Sequence, residues 1–496
     1  MTMVEAPNTF ESEAFNDLLR TVQIAGTTET VMYGGDRNFE PLGEVFGDVA
    51  QLAVIGWSSQ GPAQAQNLRD SFRSAGLDTK VVVGLRNGSA SRAKAEAVGF
   101  SLADGSLTTV EDAISHSRMS LLLVADAALV SEGHALMDLA PSGADIGLSH
   151  GFWVGHNQVT GRGVREDINL TGVCPKGMGP SVRKLYEQLS GINVSVAVEQ
   201  GGQDALDRTL GWALGLGAPY SFQTTLRNEW RSDVFGERAM LLGGVHGLVE
   251  ALYGWKRQHN VDPEGAYLQV VESLVGPISQ TISHEGLRGL FDRLDEGEKE
   301  QFIVAYNAAY PQLKNLTEKL YHDVSSGREL EEVVSDNEFN VRMTQVDGTD
   351  MWRVGELVRK SLSSSSEARV NIDPTVAGIY IAGMMAQVDV LRANGHYWSE
   401  VVNESIIEAV DSLNPYMRAR GIAYMVDNCS ITARRGSRKW APIYQAWISQ
   451  GILPVIDGVQ SRLDHRDYFA DFLNHDVHGA LDTLKDMRPK IDIAVS

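Results

Sequence analysis

Cysteine is scarce in this sequence: Cys174 and Cys429 are the only two among 496 residues. Two thiols cannot build a disulfide framework, and such low usage suits a reducing compartment. Positive charge is short as well, with 43 Lys and Arg against 64 Asp and Glu and a formal net charge of −21. No nucleic-acid partner is expected, because displacing counterions from a phosphate backbone takes a basic surface. Long apolar runs are missing too: "SLLLVADAALV" is interrupted by Asp126 well before bilayer-spanning length, and no membrane association is expected. The opening "MTMVEAPNTFESEAF" has neither the basic and apolar regions of a secretory signal nor the Arg-rich character of a transit peptide. A cytoplasmic or already mature chain is the expectation.

What is present is ordinary for a globular protein, with 43% apolar and 22% charged residues. The length exceeds what one hydrophobic core supports, so two or three domains are expected. From Gln51 to about Gly215, strand-like runs ("QLAVIG", "TKVVVGL", "MSLLLVA", "ADIGLSH", "INLTGVC", "VSVAVEQ") alternate with helical stretches, the pattern of a parallel sheet with crossover helices. Beyond "PYSFQTTL" the signal becomes helical almost to the end. The expected architecture is an α/β, Rossmann-like domain over residues 1–225 and an all-α domain over 226–496. The helical half carries a candidate duplication, approximately 226–360 and 370–496. "AMLLGGVHGLVEAL" resembles "GIYIAGMMAQVDVL", with Gly244 over Gly383 and Glu250 over Asp389, and "VVESLVG" resembles "VNESIIEA", with Glu272 over Glu404. The polar "SLSSSSEAR" (Ser361 to Arg369) between the copies reads as a surface loop.

In "VIGWSSQGPAQAQNLRDSF", an apolar strand runs into Gly56 and Gly61 and then a helix opening near Pro62. Backbone N–H groups and a positive helix end would face a pyrophosphate there, although a tight strand-to-helix turn in any α/β protein looks much the same. Ser58 stands where the fingerprint's second glycine belongs, and its hydroxyl could crowd the phosphates. After the next strand comes "GLRNGSASR", with no acid between Lys80 and Lys94. Arg86, Ser89 and Ser91 suit a ribose 2′-phosphate, so the chain reads as an NADP binder; a solvated Arg on an Asn-Gly turn is the plainer alternative. His150 and Lys176 fall at the carboxyl ends of successive strands, where open α/β sheets bind ligands. In the helical half, Asp233 with Glu237 and Glu404 with Glu408 are spaced i,i+4 on helices with apolar flanks. Most acidic pairs are solvated surface, but carboxylates in apolar surroundings need compensation, which oxygen-ligated Mg²⁺ supplies.

Seven segments in order, "GWSSQGPAQAQNL", "GLRNGSAS", "LSHGF", "VCPKGMGPSVRKLY", "DVFGER", "VVNESIIEAVDSLNP" and "MVDNCSITARRGSRKWAP", resemble ketol-acid reductoisomerase (acetohydroxyacid isomeroreductase) of the long, plant-like class. The resemblance covers about Asp36 to the C-terminus. It implies an N-terminal NADPH-binding domain and a knotted, internally duplicated helical domain. It also implies NADPH and two Mg²⁺ as cofactors, and 2-acetohydroxy acids as substrates. The reaction would be alkyl migration followed by reduction: 2-acetolactate to 2,3-dihydroxyisovalerate, and 2-aceto-2-hydroxybutyrate to 2,3-dihydroxy-3-methylvalerate, in valine and isoleucine biosynthesis.

Carried onto matching positions, the resemblance makes Asp233, Glu237, Glu404 and Glu408 metal ligands or their supports, with Glu237 also a proton relay. Ser430 would hold the substrate carboxylate, and Leu241, Leu242 and Leu413 would wall its alkyl group. His150 and Lys176 would act on the nicotinamide side, while Gly56, Ser58, Gln60, Gly61, Arg86, Ser89 and Ser91 would hold the cofactor. Leu129 departs from the family's usual glutamine near the nicotinamide. A homodimer or higher homo-oligomer would be expected, and a mature plastid-stroma chain is the alternative to a cytoplasmic one. Two other readings stand beside this one: a plain NADP-dependent oxo or hydroxy acid dehydrogenase, and a non-catalytic relative that binds ligand or oligomerises.

Overall fold

The computed structural model describes residues 10–335, 343, 345–346, 349–364, 370–462, 464–485 and 488. The chain gathers into two compact units. The first holds the residues up to Arg231 together with Leu330–Ser335 and a segment from Leu484, and the second holds most of the remainder. The helix Leu226–Arg238 runs through the division.

The first unit is built on one ten-stranded sheet: β1 Leu19–Ile24, β2 Thr27–Tyr33, β3 Gln51–Ile55, β4 Lys80–Gly84, β5 Leu107–Thr108, β6 Met119–Leu122, β7 Asp145–Leu148, β8 Asn169–Pro175, β9 Val194–Gln200 and β10 Tyr220–Gln223. In space they lie β1-β2-β10-β9-β8-β7-β6-β3-β4-β5. Strands β8, β7, β6, β3, β4 and β5 are mutually parallel, and the order reverses between β3 and β6, the switch point at which such sheets bind nucleotides.

The expected parallel sheet is present in these six strands, and antiparallel pairs extend it: β9 runs antiparallel to β8, and the β1–β2 hairpin adds antiparallel to β10. The hairpin escaped the alternation argument because its strands are polar on one face and precede Gln51. Its two-residue turn has Ala25 at φ 44° and Gly26 at φ 83°, the doubly positive geometry that matches strand twist. Leu52, Val54, Leu68, Phe72, Leu121 and Trp212 belong to one buried cluster that fixes the helix Gly61–Ser74 against the sheet.

The second unit is helical among its described residues. The helix Glu296–Ser325 packs against Pro374–Ala393, and Gly243–Gln258 packs against Ile431–Trp447. Their starts are encoded locally. Asp295 and Glu298 form a reciprocal capping box, and Asp373 accepts the N–H groups of Thr375 and Val376 ahead of Pro374.

Pro374–Ala393 is long and apolar enough to cross a bilayer, so the run holding Asp126 was not the chain's strongest apolar stretch. Its most apolar window is 89% buried inside the protein, as a core helix should be. Twice in the chain a long helix is followed by a short one and two consecutive π-helical turns. The first set is Gly243–Gln258, Pro263–Tyr267, Leu268–Glu272 and Leu274–Ile278. The second is Pro374–Ala393, Trp398–Val402, Asn403–Ile407 and Ala409–Leu413. Of the expected loop Ser361 to Arg369, the first four residues instead close the helix Asp350–Ser364, and 365–369 lie outside the described residues.

Candidate functional site

The dinucleotide loop forms where β3 ends. Gly56 has φ +100°, and a Cβ there would lie 2.6 Å from the carbonyl oxygen of Leu123, so the turn admits glycine alone. A Cβ on Gly61 would lie 2.5 Å from the Gly56 carbonyl oxygen, which keeps the helix start tight against the strand end. No side chain caps the helix Gly61–Ser74, so its first N–H groups face the loop as an anion site requires. The Ser58 hydroxyl donates to the Leu123 carbonyl at 3.2 Å. The crowding expected of Ser58 therefore does not arise from its hydroxyl, which is turned toward the protein backbone. Gln60 donates through Nε2 to the Gly177 carbonyl at 3.1 Å and ties this loop to the one carrying Lys176.

Past β4, the Arg86 guanidinium is 79% exposed and 3.9 Å from Glu132, free to meet a ligand from solvent. Ser89 accepts the backbone N–H of Ser91 at 3.3 Å. Arg92, which sequence reasoning passed over, shapes this loop by donating to the carbonyls of Leu85 (2.9 Å) and Arg86 (3.3 Å) and to Asn87 Oδ1 (3.3 Å).

His150 follows β7, and its Nδ1 lies 3.3 Å from Asp126 Oδ1 at the start of the helix Asp126–Asp138. Leu129 sits in that helix and is buried. Lys176 follows β8 with its side chain 1% exposed, and its Nζ donates to Glu229 Oε1 at 3.2 Å. The other Glu229 oxygen accepts the Gly151 N–H at 2.6 Å. One buried carboxylate thus joins the His150 and Lys176 loops. Glu229 was missed, though "NEWRSDVFGER" places acids at 229, 233 and 237, each one helical turn from the next.

Asp233 and Glu404 each bring one carboxylate oxygen within 4.8 Å of the other. Glu229 and Asp233 share the helix Leu226–Arg238, and Glu404 lies in the π-helical turn Asn403–Ile407. That turn departs from the plain α-helix expected for Glu404 and Glu408; π-type turns often mark functional positions. Glu404 is fully buried and Asp233 partly so. The backbone is held for close approach: Gln387, fully buried, accepts the Met240 N–H at 2.9 Å and donates to the Glu404 carbonyl at 2.8 Å. A Cβ on Gly236 would lie 3.1 Å from that same carbonyl oxygen and 2.8 Å from Leu241 Cδ1.

Glu237 and Glu408 are not grouped with Asp233 and Glu404. The side chain of Glu237 is 19% exposed and 3.3 Å from Arg238. It lies close enough to Cys429 to help push that thiol up, after burial as the larger cause. The Ser430 hydroxyl oxygen is the N-cap of Ile431–Trp447, accepting the Ala433 N–H at 3.0 Å, which leaves its own O–H able to donate. Leu241, Leu242 and Leu413 are all buried.

Oxygen donors without His or Cys select a hard divalent cation such as Mg²⁺. The carboxylates of Asp233 and buried Glu404 are donors of that kind. A nucleotide-type switch point beside a rigid glycine turn, in a chain that also holds a buried acidic cluster on helices, defines a dinucleotide-binding oxidoreductase with a metal-type site. Residues 48–221 match the acetohydroxy acid isomeroreductase NADPH-binding domain, and 226–364 match the ketol-acid reductoisomerase C-terminal domain. The chain is 42% identical to the chloroplastic ketol-acid reductoisomerase of Spinacia oleracea across 98% of its own length and 83% of that protein's. It is also 42% identical to the Pisum sativum enzyme, across 98% and 85%. A solved NADH-preferring ketol-acid reductoisomerase from an uncultured archean shares the fold, with TM-score 0.55 and 22% identity over 63% of this chain and 94% of that one.

The chain belongs to the ketol-acid reductoisomerase family. It has an N-terminal α/β NADPH-binding domain and a helical C-terminal domain, and its activity is that of a ketol-acid reductoisomerase in branched-chain amino acid biosynthesis.

Proposed function

We propose that the enzyme uses NADPH and two Mg²⁺ ions to convert 2-acetolactate to 2,3-dihydroxyisovalerate, and 2-aceto-2-hydroxybutyrate to 2,3-dihydroxy-3-methylvalerate. The observation that carries this reading is the approach of the Asp233 and Glu404 carboxylate oxygens to within 4.8 Å. In the first step the tertiary hydroxyl at C2 loses its proton, the alkyl group moves from C2 to the C3 carbonyl carbon, and the C3 oxygen gains a proton. In the second step the new C2 carbonyl gains a hydride and a proton. Mg²⁺ supplies Lewis acidity to the substrate oxygens, and NADPH supplies the hydride.

Asp233 would hold both ions, with Glu237, Glu404 and Glu408 completing or supporting their shells. Glu237 relays the proton. Ser430 holds the substrate carboxylate, and Leu241, Leu242 and Leu413 exclude water around its alkyl group. His150, braced by Asp126, and Lys176, braced by Glu229, order the polar side of the nicotinamide site. Gly56, Ser58, Gln60 and Gly61 receive the pyrophosphate, and Arg86, Ser89 and Ser91 receive the 2′-phosphate.

The domains divide near residue 225, and the helical domain is duplicated and knotted in this reading; the twice-repeated order of long helix, short helix and two π-helical turns supports duplication. The enzyme works as a homodimer or higher homo-oligomer. The chloroplastic relatives favour the plastid stroma over the cytoplasm. Calorimetric titration of Mg²⁺ into the protein tests the site: binding to the parent and its loss in Asp233→Asn and Glu404→Gln are expected. Undiminished binding in both variants would contradict it.

A further inference from the structure

Arg238 ends the acidic helix with its side chain only 1% exposed. Its Nε donates to Glu329 Oε2 at 2.7 Å, while its Nη1 reaches the Val234 carbonyl at 3.2 Å and Glu237 Oε2 at 3.3 Å. Its Nη2 is buried and finds no hydrogen-bond partner among the described residues. Glu329, with its side chain 2% exposed, also accepts from Lys439 Nζ at 2.6 Å and Trp440 Nε1 at 3.0 Å. Burial opposes the Glu329 charge, but Arg238 and Lys439 outweigh it and hold the carboxyl below its usual range.

The guanidinium therefore stands between two carboxylates and is bonded more closely to the one farther along the chain. A buried guanidinium must stay paired. If Glu329 lost its charge, the pull would pass to Glu237, and the idle Nη2 offers the second arm of a two-pronged bond. A carboxylate gripped that way has fewer lone pairs for a cation and a positive charge against it.

We propose that Glu329 is a positioning residue for the reaction: by engaging Arg238 it keeps the Glu237 carboxylate available to a divalent cation. This rests on the reading of Glu237 as a metal ligand. Partners one step removed from a metal's own ligands commonly set affinity by 10–100-fold when removed, and Glu329 fits that role.

Glu329→Gln keeps the side chain's shape and removes its charge. Mg²⁺ titrated by calorimetry into the intact enzyme should bind at least about tenfold more weakly in this variant, with unaltered far-UV circular dichroism. KM for Mg²⁺ should rise more than kcat falls. Lys439→Met, which strips a donor from Glu329 but leaves the Arg238 pair, should change Mg²⁺ affinity less than about twofold; a tenfold loss there would mean that general loosening is responsible and would overturn the proposal. Glu237→Gln separates the two ideas. If it weakens Mg²⁺ binding and Glu329→Gln does not, the positioning role is wrong and the ligand assignment survives. If Glu237→Gln leaves affinity unchanged, the assignment fails and takes the proposal with it. Should Glu329→Gln not fold, Arg238→Lys, which keeps the charge and loses the bridge, carries the same expected tenfold loss, and affinity within about twofold of the parent overturns the proposal.

Discussion

Replacing Lys176 with methionine removes an ammonium that lies 3.2 Å from a Glu229 oxygen with both side chains 1% exposed. Methionine keeps most of the volume, so the packing change is small and the electrostatic change dominates. Removing one partner of a buried pair costs roughly 3–5 kcal/mol, because the survivor is left charged and unpaired. Glu229 keeps the Gly151 N–H at 2.6 Å, which argues for the lower end, about 3 kcal/mol. For a domain of about 200 residues that loss lowers the midpoint by roughly 6–12 °C.

The assay is thermal and urea unfolding followed by circular dichroism and by the fluorescence of the buried Trp153 and Trp212. Adding Glu229→Gln to Lys176→Met should recover much of the loss, giving a coupling of about 2 kcal/mol or more in the double-mutant cycle. A Lys176→Met midpoint within about 2 °C of the parent, or losses that simply add in the double variant, would refute the view of this pair as the brace between the His150 and Lys176 loops.

Ser58→Gly removes the hydroxyl bonded to the Leu123 carbonyl, so NADPH binding measured by fluorescence titration should stay equal or weaken up to about tenfold; clear tightening would mean that the serine crowds the cofactor. Gly236→Ala places a methyl 2.8 Å from Leu241 and 3.1 Å from the Glu404 carbonyl. An overpacking cost of about 1–3 kcal/mol, partly offset by about 1 kcal/mol of helix propensity, should come with weaker Mg²⁺ binding, and unchanged affinity would contradict the close-approach account. His246 is driven down to about 4, first by burial and then by Arg438. Its folded value lies below the unfolded one, so its contribution is present above about pH 6.5 and fades as pH falls toward 4, by about 2 kcal/mol at pH 5. His246→Gln should flatten that part of the urea-midpoint profile, and an unchanged slope between pH 7 and 5 would count against it.

The β3-to-helix turn was legible because Gly56 and Gly61 are chemically forced at those positions, and Asp233 and Glu404 because acids among Val, Phe and Ile are conspicuous. Glu229 was equally spaced, but apart from Trp230 its immediate neighbours Arg227, Asn228 and Arg231 are polar, which matches solvated surface. Gln387, Arg238 and Glu329 were illegible for another reason. Their roles come from partners 17 to 147 residues away, and spacing along a helix carries no trace of such pairings. The antiparallel β9 was hidden because a buried strand reads the same in either direction. The hydroxyl of Ser58 shows another limit: its place in the turn is plain from the sequence but its direction is not, since a rotamer is set by the fold around it.

The most direct test is to follow NADPH absorbance with 2-acetolactate, with and without Mg²⁺, and with NADH in place of NADPH. Oxidation of NADPH that requires both substrate and Mg²⁺, and is faster than with NADH, is the expected result. Folded, NADPH-binding protein that does not consume the cofactor under those conditions, or consumes it equally in the presence of chelator, would contradict the proposed metal-dependent reaction.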